Sequence, residues 1–133
     1  MKKFLFPLFC VASFALTGCQ QEVKSEKVKD KLEKKDYKVE VIAKAELEVR
    51  IQGVNWNVEV KEAIYATKEE KPQLLAFFCA NIDDATKFVN ENVAVFSAFA
   101  DKYEVENAKT GSHNNVAYLG TETAIGIAGL TVK

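Results

Sequence analysis

From residue 39 to residue 51 the chain alternates. Val39, Val41, Ala43, Ala45, Leu47, Val49 and Ile51 share one parity, with Glu40, Lys44, Glu46, Glu48 and Arg50 between them and Ile42 as the one apolar intruder. Side chains of a strand point alternately to its two faces, so the pattern predicts a long strand with one dry face. After Gly53 the alternation resumes on even positions: Val54, Trp56, Val58, Val60, Ile64 and Ala66 stand against Asn55, Asn57, Glu59 and Lys61. Gln52-Gly53 is the natural reversal, because glycine accepts the positive φ of a tight hairpin. Together the two strands predict a long antiparallel β-hairpin over about 38–66, with an apolar face that needs a cover.

The cover is expected to be helical. Thr67-Lys68-Glu69-Glu70 has the Thr-x-x-Glu spacing of a capping box, and Leu74, Phe77, Phe78 and Ile82 follow at helical intervals. Pro72 fits the first turns poorly, and the unbroken apolar run over Gln73–Ala80 also suits a fully buried third strand. The helical reading is preferred and the strand stays open. Asp83 or Asp84 can cap a second helix, with Ala85, Phe88, Val89, Asn92, Val93, Phe96, Phe99 and Tyr103 along one side. Asp83, Asp84, Lys87 and Glu91 make that helix a poor membrane span. Asn107 to Asn115 reads as a polar loop around Gly111, and Val116–Leu119 and Ala124–Val132 as closing strands about Gly120-Thr121-Glu122. The expected fold class is therefore α+β: a small antiparallel sheet opening with the long hairpin, packed by one or two helices and closed by C-terminal strands.

Upstream of residue 37 the pattern changes. From Gln20 to Asp36 mixed charges dominate, and Val23, Val28 and Leu32 are too sparse for a core-facing stripe. This stretch reads as a solvated, charged tether. Before it, Lys2 and Lys3 precede an apolar run from Phe4 to Leu16, which is short for a permanent span but suited to an export signal. The run ends in Leu16-Thr17-Gly18-Cys19, which resembles the lipobox of bacterial lipoproteins. The resemblance implies cleavage before Cys19, a diacylglycerol on its thiol and, in many Gram-negative bacteria, an acyl chain on the new amine. Each buried CH₂ contributes about 0.8 kcal/mol, so such an anchor is stable. Gln20 in place of Asp implies, by the same resemblance, the outer membrane rather than retention at the inner one. The organisation expected is a signal peptide over 1–18, lipidated Cys19 with a tether over 19–36, and one α+β domain over 37–133.

Composition narrows the partners. Apolar residues make up 48 % of the 133 and charged residues 28 %, the balance of a folding chain. Losing Lys2 and Lys3 with the signal leaves 16 basic residues against 19 acidic ones, a net charge of −3. Nucleic acid and anionic lipid both call for basic clusters, which this balance does not supply. The partners expected are the membrane, through the lipid, and a protein. Of the cysteines, Cys10 lies in the signal and Cys19 carries lipid, so Cys79 has no disulfide partner. Set among Phe77, Phe78 and Ala80, it reads as a packing residue.

Candidate chemistry is thin. There is no Cys-x-x-Cys, spaced His pair, Gly-rich phosphate loop or Gly-x-Ser-x-Gly elbow, and no cofactor or metal is called for. Ser97 or Ser112 with His113 and Asp101 can be drawn as a triad, but adjacent residues such as Ser112 and His113 seldom adopt nucleophile–base geometry. Asn81, Asp83 and Asp84 offer oxygens to Ca²⁺ without the alternating loop of a calcium hand, and helix capping accounts for them. Glu59 with Glu62, or Glu46 with Glu48, reads as the wet face of a strand rather than a glycosidic pair. What remains is recognition. Trp56 reads either as core packing or, with Asn55 and Asn57 near the hairpin tip, as an anchor for a partner. His113 with Asn114 and Asn115 reads as a surface or recognition loop. The function expected is a non-catalytic protein-binding or accessory lipoprotein of the envelope, with Trp56, Asn55, Asn57 and His113 as candidate contact residues. An envelope enzyme and a carrier of an apolar ligand are the alternatives.

Overall fold

The computed structural model describes residues 22–130. The segment expected to be a signal peptide and lipobox, Cys19 included, lies outside them. The fold is α+β: five helices pack on an open, five-stranded antiparallel sheet. In chain order the elements are α1 (Ser25–Glu33), β1 (Lys38–Ala43), α2 (Lys44–Arg50), β2 (Val60–Lys68), β3 (Lys71–Cys79), α3 (Ile82–Glu91), α4 (Val93–Lys102), β4 (Lys109–His113), β5 (Val116–Gly120) and α5 (Glu122–Ile127). The strands lie in the order β1-β2-β3-β5-β4.

Both faces of the sheet are covered, and this explains most departures from the alternation. Along β3, Leu75, Phe77 and Cys79 enter one core with α2, α3 and α4, while Leu74, Ala76 and Phe78 enter a second core with α1 and α5. A strand dry on both sides has no polar parity, so Gln73–Cys79 is part of a strand and not the preferred helix. Thr67 to Glu70 is not a cap. Glu69 and Glu70 both have positive φ, 53° and 67°, and form the two-residue turn that joins β2 to β3.

β1 and β2 do pair antiparallel, with Val41 opposite Ile64, but the hairpin is not continuous. The strand stops at Ala43, and Lys44–Arg50 is helical. Leu47 and Ile51 are buried while Val49 is 71 % exposed. Residues four apart satisfy a period of two and also share a helix face, so the parity of Leu47 and Ile51 fitted either element. Ala, Leu, Glu and Arg favour helix there, and Glu46 lies 3.7 Å from Arg50 one turn on. Residues 51–59 then cross irregularly to β2.

The packed domain begins before residue 37. Val28 and Leu32 of α1 are 1 % and 0 % exposed and sit in the second core with Ile64, Ala76 and Phe78. Two apolar residues four apart suffice because a single helical face meets the sheet. The charged stretch is therefore largely a packed helix rather than a solvated tether. Four further readings are corrected. Asn81, not Asp83 or Asp84, caps α3, its Oδ1 accepting from Asp84 N at 2.8 Å. The second helix is broken at Asn92 into α3 and α4. Residues 109–113 form edge strand β4 instead of a loop, and residues 124–127, expected at the start of the last strand, belong to α5, which Thr121 caps.

Asn92 and Asn115 are the buried polar side chains of the described residues, 1 % and 3 % exposed. Each acts as a substitute strand partner. Asn55 N donates to Asn92 Oδ1 at 2.7 Å, and Asn92 Nδ2 donates back to Asn55 O at 3.2 Å. Val23 N likewise donates to Asn115 Oδ1 at 2.7 Å, and Asn115 Nδ2 donates to Val23 O at 3.2 Å. A carboxamide carries one acceptor and two donors, so it satisfies both backbone groups of an irregular segment. One such staple fixes the 51–59 crossing and the other fixes the start of the domain.

Candidate functional site

A mainly apolar groove of about 280 Å³ lies between α2 and α4, floored by the sheet. Ile42, Leu75 and Leu119 form its floor, and Ile51 and Arg50 close one side at the end of α2. The other side comes from α4. Phe96, Phe99 and Tyr103 recur at helical spacing and emerge progressively from the core. Phe96 is 1 % exposed and stacks on Phe77 at 5.5 Å, whereas Tyr103 is 42 % exposed and stacks on Phe99 at 5.3 Å. The aromatic row thus runs from packing residue to surface residue along one helix face.

The polar groups at the mouth are few. Arg50, the only arginine of the chain, donates from Nη1 and Nη2 to Glu40 at 2.5 and 3.1 Å and lies 3.7 Å from Glu46. The hydrogen bond and charge of Arg50 hold the Glu40 carboxyl below its usual range, and Glu40 raises the guanidinium in turn. The cation is thereby matched by acids of its own chain. Tyr65, on β2 beneath the mouth, is shifted upward by burial and then by Tyr103 and Glu40, so its hydroxyl keeps its proton. The groove offers apolar contact, two phenol rings and a hydroxyl donor. Among the described residues, no three His, Cys, Asp or Glu side chains gather closely enough to hold a metal.

The residues singled out from the sequence are not brought together. Trp56 is half-buried and packs on Phe88 at 5.6 Å and Phe77 at 6.2 Å. Asn55 is stapled by Asn92, and Asn57 Nδ2 donates to Glu91 of α3. Both belong to the 51–59 crossing, with no hairpin tip to project them. His113 ends β4, paired with Val116, and none of these contacts reaches it. Ser97 and Asp101 lie on α4, away from the strand of Ser112 and His113. Cys79 is fully buried, its thiol pushed up to about 12 by burial and then by Asp84. Arg50, Tyr65 and Tyr103 were missed. The available signal was a lone arginine and an aromatic row that outruns the buried part of its helix. No family model, curated protein or solved structure matches the chain, so the groove is interpreted from its own chemistry. No helix among the described residues is long and apolar enough to cross a membrane.

Proposed function

We propose that the chain is an envelope lipoprotein, cut and lipidated at Cys19, that acts without catalysis by binding a protein partner in the groove between α2 and α4. Leu16-Thr17-Gly18-Cys19 after a short apolar run supports the anchor, and Gln20 supports the outer membrane of a Gram-negative cell. The observation that carries the binding role is the aromatic row ending in exposed Tyr103 beside an apolar slot. Tyr and Arg at the rim of a pocket are the side chains that dominate protein interfaces. Size favours a partner's side chain over a free ligand. About 280 Å³ is at the small end of ordinary small-molecule sites, roughly 300–1,000 Å³, and suits one or two side chains of a partner. Charge points the same way, since Arg50, the cation that lines the groove, is matched by Glu40 and Glu46.

The test is affinity capture of the tagged, lipidated protein from gently cross-linked envelopes, comparing wild type with Tyr103→Ala. One stoichiometric partner is expected, its affinity falling about tenfold or more in the variant while the thermal midpoint holds. A partner retained by Tyr103→Ala but lost by Trp56→Ala would move the site to the 51–59 crossing. Loss of the partner in a Cys19→Ala control would show that anchoring is needed to meet it.

A further inference from the structure

The chain enters the fold close to the residue proposed to carry lipid. Cys19 precedes Glu22 by three residues, which span at most about 11 Å when fully extended. The next residue, Val23, is fixed by both backbone groups to Asn115, whose own backbone O accepts from Cys79 N at 2.8 Å. Glu22 is held a second time, by Lys61 at 3.2 Å, and Ser25 donates to Glu62. Cys79, Asn115, Lys61 and Glu62 all lie at one end of the sheet, where β3 finishes and β2 and β5 start.

Resting on the lipoprotein reading, we infer that this end of the domain abuts the lipid headgroups, with the sheet standing up from the membrane on a leash only three residues long. The partner of this surface is the bilayer that holds the anchor. Its charges alternate and answer one another, Lys61 with Glu22, so contact is enforced by the leash and not by attraction to acidic lipid. Strands rise about 3.3 Å per residue, which sets the heights. Leu119, in the groove floor, is four residues above Asn115, or about 13 Å. Lys71, beside the β2–β3 turn, is seven residues above Phe78, the strand neighbour of Glu62, or about 23 Å. The groove therefore opens near the membrane but clear of it, and its partner must be a membrane protein or one that works within a few nanometres of the surface.

Buried Cys79 makes the test direct, because an environment-sensitive thiol dye labels only an introduced cysteine once Cys19 carries lipid. Lys61→Cys and Lys71→Cys, both at exposed positions, are labelled on the purified lipidated chain in phosphatidylcholine vesicles containing a headgroup-spin-labelled lipid. Quenching is expected to be several-fold stronger at position 61 than at 71, and to change little with salt. Inserting about twenty Gly/Ser residues between Gln21 and Glu22 gives a leash with a mean span of about 25 Å and should bring position 61 down to the level of 71. Equal quenching at both positions of the uninserted chain, or stronger quenching at 71, overturns the inference. Intact mass separates the two failures. A chain without diacylglycerol on Cys19 overturns the lipoprotein reading and this inference with it, whereas a lipidated chain with equal quenching overturns this inference alone.

Discussion

The two faces of the sheet are both buried, yet they are finished differently. The face under α1 and α5 is covered mainly with aliphatic side chains and alanines, Val28 and Leu32 from α1 and Ala124, Ile125 and Ala128 at α5, over Ile64, Ala66 and Ala76, with Tyr37 and Phe78 as its buried rings. Small residues on the strands let those short helices sit close, and Leu32, Ile64 and Leu130 are fully excluded from water. The face under α2, α3 and α4 is built from rings. Phe77 stacks on Phe96 and meets Phe88 edge-on at 5.0 Å, and Trp56 extends the cluster. Rings fill space in large units and leave gaps at the margin of the cluster. Where α4 carries Phe99 and Tyr103 past the last buried ring, the gap is the groove. The first, closed face carries the N-terminal helix α1, and the second, open face carries the groove.

Phe77→Ala is expected to have the largest effect on this contrast. It removes the ring that touches Phe88, Phe96 and Trp56 at once, and should cost about 3–5 kcal/mol in urea unfolding. A loss near 1 kcal/mol would mean the open face is loosely packed and the groove is not a fixed shape. Leu32→Ala probes the closed face and should cost about 2–4 kcal/mol, because α1 is part of the core. A change within about 0.5 kcal/mol would return residues 25–33 to the role of tether.

The effect at Cys79 is absent at neutral pH and appears only in alkali. Its folded thiol ionises near 12, while the unfolded chain's ionises near 9. Below pH 9 both states are protonated and the stability is intact. Between pH 9 and 12 the unfolded state sheds the proton first, so stability declines through that window. Unfolding midpoints of Cys79→Ala should fall less steeply there than those of wild type. Parallel slopes would show that the thiol is not shielded by the open face's core.

How far the sequence could be read depended on how many faces each segment buries. α3 was legible because Phe88 and Val89 recur against Asp83, Lys87 and Glu91, leaving one wet side. β5 was legible as a short apolar run between turn residues. β3 was ambiguous because burial on both sides erases period two. α1 was hidden for the opposite reason: its apolar face is only Val28 and Leu32, and lysines and acids fill the remainder. The site was less legible than the fold. Trp56 drew attention by its chemistry, but its position was settled by the Asn92 staple, which no local pattern announces. Tyr65 and Tyr103 are far apart along the chain, and only the packing of α4 on the sheet brings both to the groove.

By itself the sequence determined the class of the fold, antiparallel strands with amphipathic helices, because alternation and helical spacing are local consequences of backbone geometry. It also determined the burial of Cys79, which stands in an apolar run too dense to face water. Tertiary structure alone decided that the sheet has two cores, that residues 44–50 coil instead of extending, and that the charged segment after Cys19 packs as a helix. Each of those outcomes depends on what lies across the sheet. A residue's surroundings are set by segments distant in sequence, and no window of neighbouring residues contains them.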